Sequence, residues 1–490
     1  MLPPGLSDTK VNEVSFFGRL NYSLMDKYIF QATVRADGSS RFAENNKWGY
    51  FPSASAAWRI SEEGWMKNVR FINNLKLRAS WGISGKQAIG AYESLAKVGT
   101  YVTTINGLDP VMASYFSSLE NSNLKWETTT EYNVGLDVDF WDSRLGVVID
   151  AYNKTTSNLL YANPVPQYTG YGTVTENMGK IRNRGIEFTV KAVPVQSRNF
   201  EWALDFNIGL NRSKVLALGI QDWQTVGTGW RTGEQGYLEV GKPLGNWYGL
   251  KVLGIWQSQS QIDQAVAQGL IDESQKPIPG QYRFYDRDGN GKTTAEDRVI
   301  IGSAEPDFTG GLSTSFTYRN LTLSANFVFT YGNQIFNGNS YEMSGSNNYN
   351  NAYKSAVNRW KPTLYYYDAV NGVRGELFME GNPSNKIPVS SSGLTPIEMA
   401  NDTWIEDGSY LRMQDITLSY TLPEKFVRKL RLSNVRIFLT GTNVFCWTNY
   451  SGFDPDVNVS SGQASYLQPG LDYFSYPRAR SFSGGINITF

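Results

Sequence analysis

A strict two-residue alternation of apolar and polar side chains recurs along the whole 490-residue sequence. Tyr132, Val134, Leu136, Val138 and Phe140 alternate with Asn133, Gly135, Asp137 and Asp139. Leu75, Leu77, Ala79 and Trp81 alternate with Lys76, Arg78 and Ser80. At the end of the chain, Phe482, Gly484, Ile486, Ile488 and Phe490 alternate with Ser481, Ser483, Gly485, Asn487 and Thr489. Successive side chains of a strand point to opposite faces, so each segment has one apolar face and one small, polar face. About thirteen such spans are readable, at 14–24, 28–36, 51–59, 75–83, 129–140, 145–154, 185–193, 201–211, 311–318, 321–330, 411–421, 435–444 and 481–490. Helical periodicity is scarce, and no run of about 18 apolar residues offers a transmembrane helix.

A soluble sandwich would also alternate, so a single strand decides nothing. Three features together favour an all-β transmembrane antiparallel barrel. The spans run about nine to eleven residues, the length a tilted strand needs to cross a bilayer. Aromatics such as Trp48, Tyr50, Phe51, Trp126, Trp141, Trp202 and Trp447 fall near strand ends, where interfacial girdles lie. The connections also alternate between short links (24–27, 141–144, 195–199, 318–320) and long stretches (83–127, 158–183, 214–310, 331–409, 449–480). Short turns on one side and long extracellular loops on the other are the pattern of outer-membrane barrels. An odd number of spans with the last one running inward starts the series with an inward strand. That parity calls either for one more strand within the sequence than is read here or for strands preceding those read, and the lack of a signal peptide favours the second.

Charge and composition exclude much else. Lys plus Arg and Asp plus Glu are each 45, which argues against nucleic acid as a partner. There is no histidine, so no catalytic triad or His-metal centre is available within the chain. Cys446 is alone and reads as a packed strand residue. The opening MLPPGLSDTK lacks a charged start followed by an apolar run, so it does not read as a signal peptide.

Several stretches resemble one family. They are RADGSSRF (35–42), WGYFPSASAAWRISEE (48–63), LKLRASWGISG (75–85), NLKWETTTEYNVGLD (123–137), YNKTTSNLL (152–160), NRGIEF (183–188), VGKPLGNWYG (240–249), YDRDGNGKTTAEDRVIIGSAEPDFTGG (285–311) and YPRARSFSGGINITF (476–490). In order and over nearly the whole chain, they resemble the C-terminal half of the SusC/RagA-like TonB-linked outer-membrane transporters. The resemblance implies a barrel of about 22 strands with a plugged lumen, of which residues 1–490 would be the last thirteen strands. It implies import of oligosaccharides or peptides through the outer membrane of a Gram-negative bacterium. The implied partners are a SusD-like lipoprotein lid, the TonB complex acting through an N-terminal part, and the barrel assembly machinery reading the strand that ends at Phe490. Nothing in these residues resembles the plug or the TonB box, so transport is expected of a longer parent protein rather than of this stretch alone.

One constellation carries chemistry. Asp286, Asp288, Asn290 and Asp297, with the Lys292 carbonyl, match the loop D-x-[DN]-x-[DN]-G-x5-[ED], in which oxygen ligands at positions 1, 3, 5, 7 and 12 wrap a hard cation. Gly291 at position six permits the sharp turn, and Asp at twelve reaches less far than the usual Glu. The expectation is a structural calcium site, with magnesium the weaker option, bracing the large extracellular excursion 214–310. The competing reading is a solvated acidic turn.

Other signals are thinner. Glu62-Glu63 and Asp454-Pro-Asp456 are paired acids that suit capping or turns better than hydrolysis, so no catalytic residue and no organic cofactor is expected. Sequons such as those at Asn153, Asn211 and Asn487 are frequent by chance in an Asn/Thr-rich chain. Aromatics in the long stretches (Trp223, Trp230, Trp247, Tyr248, Tyr365 to Tyr367) suit sugar stacking, loop packing or contact with a lid protein. The alternative reading is a surface glycan-binding β protein without transport. A polysaccharide-degrading enzyme is the third, and it lacks a visible acid pair. Polar strand faces of Asn, Asp, Ser, Thr and Gly fit a wet lumen facing inward, with lipid outside.

Overall fold

The computed structural model describes residues 9–490 apart from 106, 108, 172, 220, 229–233, 344–350, 361–363, 369–372, 378–386, 389–399, 430 and 461–463. Thirteen antiparallel strands form one continuous wall in strict chain order. They are β1 (Glu13–Leu24), β2 (Tyr28–Ser39), β3 (Trp48–Arg59), β4 (Ile72–Lys86), β5 (Glu127–Phe140), β6 (Leu145–Pro164) and β7 (Thr173–Gln196). Then come β8 (Phe200–Ala217), β9 (Phe308–Tyr318), β10 (Leu321–Tyr331), β11 (Tyr410–Thr421), β12 (Asn434–Thr448) and β13 (Ser481–Thr489). Each alternating span of the sequence becomes one strand of this wall. Within the described sheet, β1 pairs with β2 alone and β13 with β12 alone.

The two faces divide as the alternation requires. Phe16, Leu20, Val134, Ile186, Leu323, Leu439 and Ile486 project outward and are exposed, as lipid-facing side chains of a barrel wall are. The opposite face carries a polar network. Arg78 on β4 binds Asp137 on β5 at 2.6 Å and Asp150 on β6 at 3.1 Å, while Lys76 adds a contact to Asp137 at 3.3 Å. Thr417 and Thr440 pair across β11 and β12 at 2.8 Å.

The short side is made of tight turns. Between β1 and β2, Met25 and Asp26 both have positive φ (56° and 54°), and Lys27 N–H closes the turn on the Leu24 carbonyl. Two positive-φ residues fit the right-handed twist of a two-residue hairpin. Glu63 secures the next turn, accepting from Lys27 Nζ, Tyr28 Oη and Trp58 Nε1 at 2.8 to 3.1 Å.

The structure corrects two expectations. Most of the stretch 158–183, read as a loop, is strand: β6 and β7 stay paired from Leu159↔Gly179 to Pro164↔Thr173, above irregularities at 157–160 that break the simple alternation. Nor are all the predicted girdle aromatics at a lipid boundary. Trp48, Tyr50, Trp141 and Trp447 are exposed on the wall, but Phe51 (6 % exposed) and Trp126 (8 %) are buried. They pack with Phe42, Ile89, Leu124 and Leu160 in a core on the long-loop side; Phe51 sits on the face of β3 opposite the exposed Trp48 and Tyr50, and Trp126 lies in the link just before β5.

Three of the long excursions, 214–310, 331–409 and 449–480, do not hang separately from the wall. Trp247, Ala304, Phe336, Tyr341, Ala400, Trp404 and Leu471 form one apolar core to which all three contribute. Gln334–Asn337 lies between Ile405–Asp407 and Leu471–Asp472, which joins the second excursion to the third, and a bridge from Leu250 to Asn401 joins the first to the second. Within the first, Asn246–Gly249 pairs with Val299–Ser303. Together they make a cap over the long-loop end of the wall.

Candidate functional site

The acidic loop lies in the cap, between the strand Tyr282–Phe284 and the strand Val299–Ser303. Its backbone folds around its own carboxylates. Asp286 accepts from Gly289 N–H at 2.7 Å and Gly291 N–H at 2.8 Å. Asp288 accepts from Asn290 N–H at 3.1 Å, and Asn290 Oδ1 accepts from Lys292 N–H at 2.7 Å. Asp297 is fully buried, and its two oxygens accept from Arg287 N–H at 2.9 Å and Thr294 N–H at 2.8 Å. Gly289 and Gly291 both sit at φ 73°. A Cβ on Gly291 would also lie 2.8 Å from Asp272 N, so glycine is required there twice over.

Carboxylate oxygens of Asp286, Asp288 and Asp297 lie within 4.8 Å of one another. Among the described residues, none of the three forms an ion pair with Lys or Arg. The nearby Lys292 ammonium turns instead to Asp272 at 3.5 Å. Each carboxylate oxygen has two acceptor sites, so those already holding an amide hydrogen keep one lone pair. Three converging anions with spare lone pairs and no basic partner match the donor set that a hard divalent cation takes. Of the other two predicted positions, Asn290 Nδ2 donates to Asp288 Oδ2 at 2.7 Å while its Oδ1 accepts from Lys292 N–H. Partial burial pulls the Asp286 carboxyl upward, but the Gly291 and Gly289 amide hydrogens outweigh it and leave that carboxyl below the usual value.

The loop is stitched to the segment before it. Asp272 N–H donates to the Gly291 carbonyl at 2.7 Å, and Thr293 N–H donates to Gln275 Oε1 at 3.1 Å. The whole excursion is then tied to the rest of the cap: Val252 N–H donates to Asp402 Oδ1 at 2.9 Å. Burial raises the Asp402 carboxyl above its ordinary value, with the Val252 amide hydrogen opposing.

The other candidates fall into place as structure. Asp454 meets Arg412 at 2.5 Å with both nearly buried, and Asp456 meets Arg478 at 2.6 Å. The Asp454 pair therefore clamps the excursion 449–480 to the wall, while the Asp456 pair braces that excursion internally. The sequons at Asn153, Asn211 and Asn487 all lie within wall strands. Of the loop aromatics, Trp247 is completely buried and Tyr248 is 8 % exposed, stacked on Tyr237 under the Arg298 guanidinium. Trp223 stands half exposed. Trp230 and the side chains of Tyr365 to Tyr367 lie outside the described residues. Sequence reasoning missed the Arg412–Asp454 clamp and the shared cap core, neither of which has a local signature.

The family model described as "TonB dependent receptor-like, beta-barrel" matches residues 3–444. TonB-dependent receptor P3 of Formosa agariphila is 34 % identical over 99 % of this chain and 46 % of its own length. TonB-dependent receptor SusC of Bacteroides thetaiotaomicron is 31 % identical over 98 % of this chain and 44 % of its own. The chain thus spans about half the length of the curated relatives it matches. In fold it is similar to a chain of the RagAB peptide transporter, with TM-score 0.77 and 23 % identity over 98 % of this chain and 48 % of that one. The relatives are receptors and transporters rather than enzymes. With its thirteen-strand wall, capped on one side and tightly turned on the other, the chain belongs to the TonB-dependent receptor β-barrel family, in its SusC/RagA-like group, of the Gram-negative outer membrane.

Proposed function

We propose that residues 1–490 are the C-terminal part of the barrel of a TonB-dependent importer that takes up oligosaccharides or peptides. The observation that carries this reading is the cap. Three excursions fold into one body with a common core, above a wall whose inner face is a polar network. A body of that kind holds cargo, or a partner that delivers it, at the outer mouth of a wet lumen. The partner is a SusD-like lipoprotein lid, energy comes through TonB acting on an N-terminal portion, and β1 and β13 meet wall strands supplied by the rest of the protein. The strand ending at Phe490 serves the barrel assembly machinery. Uptake of a fluorescent oligosaccharide or peptide by cells carrying the full-length receptor tests the reading: it should stop on deletion of tonB or addition of a protonophore. Binding without uptake would favour the surface glycan-binding alternative.

Within the excursion 214–310, the loop 286–297 is a structural cation site, with Asp286, Asp288 and Asp297 as side-chain ligands, and Asn290 and the Lys292 carbonyl completing the set. Calcium fits it better than magnesium, because an irregular loop of flexible oxygen ligands does not impose octahedral geometry. Chelation with EGTA should make the 271–297 region of the purified full-length receptor sensitive to limited proteolysis. Calcium should restore protection at lower concentration than magnesium. Equal proteolysis with and without chelator would leave an ordinary acidic turn.

A further inference from the structure

Two links on the short-turn side are longer than a tight turn, 60–71 and 422–433. They differ in charge. The first carries Glu62, Glu63, Lys67 and Arg70, which cancel, and its acids are already held by Arg59 and Lys27. The second carries Lys425, Arg428, Lys429 and Arg431 against Glu424 alone, in a chain whose formal net charge is zero. All four basic side chains are exposed. Arg428 pairs with Glu424 across one helical turn, and Lys425, Lys429 and Arg431 form no ion pair among the described residues.

The link 422–433 is built as a surface element. It holds a short helix, Glu424–Lys429, that begins at Pro423, whose carbonyl accepts from Phe426 N–H at 2.9 Å. Leu432 N–H donates to the Val427 carbonyl at 3.2 Å, and Ser433 N–H donates to the Thr489 carbonyl at 2.7 Å, which ties the link to the end of β13. Val427 is buried, but Phe426 beside it is 61 % exposed. The helix packs against β12. There Val435 has the outward parity of Ile437 and Leu439, yet it is buried where they are exposed. The link therefore covers the lipid-facing side of β12 at its periplasmic end and not the lumen side.

We propose that this link anchors the barrel rim to anionic phospholipid headgroups of the inner leaflet. Its place and its chemistry both favour that occupant. A helix on the outer side of the wall, at the level of the short turns, lies in the headgroup region of the leaflet. An exposed phenylalanine beside clustered Lys and Arg is the pattern of a helix that rests in a membrane interface. Lys425 and Lys429 are four residues apart and share one face of the helix. Their ammonium groups donate to phosphate oxygens, and each cation near an anionic surface adds to the attraction. A plug or cargo in the lumen would meet the opposite face of the wall. The proposal rests on the wall's place in the outer membrane and is independent of the importer reading.

The test is native mass spectrometry of the purified full-length receptor, released from detergent micelles loaded with equal amounts of phosphatidylglycerol and phosphatidylcholine. The unaltered receptor should retain phosphatidylglycerol in preference. Lys425→Gln/Lys429→Gln, altered at exposed positions, should lower that retention at least about fivefold. Lys425→Arg/Lys429→Arg should preserve it. Lys67→Gln/Arg70→Gln removes the same charge from the other link of the same side and should leave retention unchanged; heat-modifiability on gels shows that each barrel is folded. Equal retention of both lipids by the unaltered receptor, or an equal loss in the Lys67→Gln/Arg70→Gln variant, would overturn the proposal. A preference unchanged in Lys425→Gln/Lys429→Gln would also overturn it, and would leave the basic link to a periplasmic protein.

Discussion

The wall and the cap satisfy their backbone groups by different means. In the wall, neighbouring strands exchange hydrogen bonds over long, nearly unbroken registers, such as the twelve pairs from Glu13↔Ser39 to Leu24↔Tyr28. A barrel wall in lipid has no other source of partners. In the cap the strands are short, Gln334–Asn337 or Leu471–Asp472, and side chains complete the pairing. Ser303 N–H donates to Gln334 Oε1 at 2.8 Å, and Ser451 N–H to Glu406 Oε2 at 2.9 Å. Strand pairing needs only alternation, and many residue types serve. Side-chain bonding needs one residue at one place. Single substitutions should therefore be mild in the wall and severe in the cap.

The largest effect is expected where cap and wall meet. Arg412→Ala removes one partner of the nearly buried pair with Asp454 and leaves that carboxylate uncompensated, a loss of about 3–5 kcal/mol. The substitution also deletes the bond from Arg412 Nη1 to Asn443 Oδ1. Hydrogen exchange should rise across 449–480 while β11 and β12 stay protected below the junction. Exchange rising equally along both strands would mean that the contrast between the regions is false.

Asp297→Ala comes next. It orphans the Arg287 and Thr294 amide hydrogens in a part-buried setting, at up to about 1–3 kcal/mol for a donor left unsatisfied. Cleavage by a nonspecific protease should move to 271–297. The Asp297→Asn variant keeps one acceptor oxygen and should fall between the two. Protection unchanged in Asp297→Ala would remove the loop from the set of pieces that hold the cap.

The same contrast explains what was legible before folding. All thirteen wall strands could be read, because a two-residue period is a local signal and each strand's faces follow from it. The reading failed where the period breaks, at the irregularities near Ser157 and Leu160, and where aromatics at the long-loop end pack into a core instead of a girdle, as at Phe51 and Trp126. The acidic loop was also legible, since its spacing is itself local. The cap core was not. Trp247, Phe336 and Leu471 are each separated by scores of residues, and Trp247 in sequence looks the same as the half-exposed Trp223.

A third expectation concerns acid. The Asp286 carboxyl is held below its ordinary value, so its contribution is present at neutral pH and fades as pH falls below the unfolded value of about 3.9. Asp402 is displaced upward, so it has the opposite sign: its contribution is greatest below that value and is lost as pH rises through the raised one. Below about pH 3.9 the acidic loop should loosen while the Val252–Asp402 contact holds. Proteolysis at 286–297 that precedes cleavage near 250 and 402 during acidification is the outcome to look for. Simultaneous cleavage at all three would mean that the cap yields as one unit.

The smallest effect belongs to the wall. Thr417→Val on β11 removes one hydroxyl of the Thr417–Thr440 pair and nearly preserves shape. Cross-strand pairs contribute about 0.2–1 kcal/mol, and valine suits a strand as well as threonine does. Both flanking registers, Thr417↔Ser324 and Thr417↔Thr440, are backbone pairings that the substitution leaves intact. Barrel assembly, heat-modifiability on gels and exchange in β10 to β12 should therefore match the unaltered protein. A marked loss of folded barrel would show that the inner polar face is as residue-specific as the cap, and the division between periodic wall and particular cap would have to be given up.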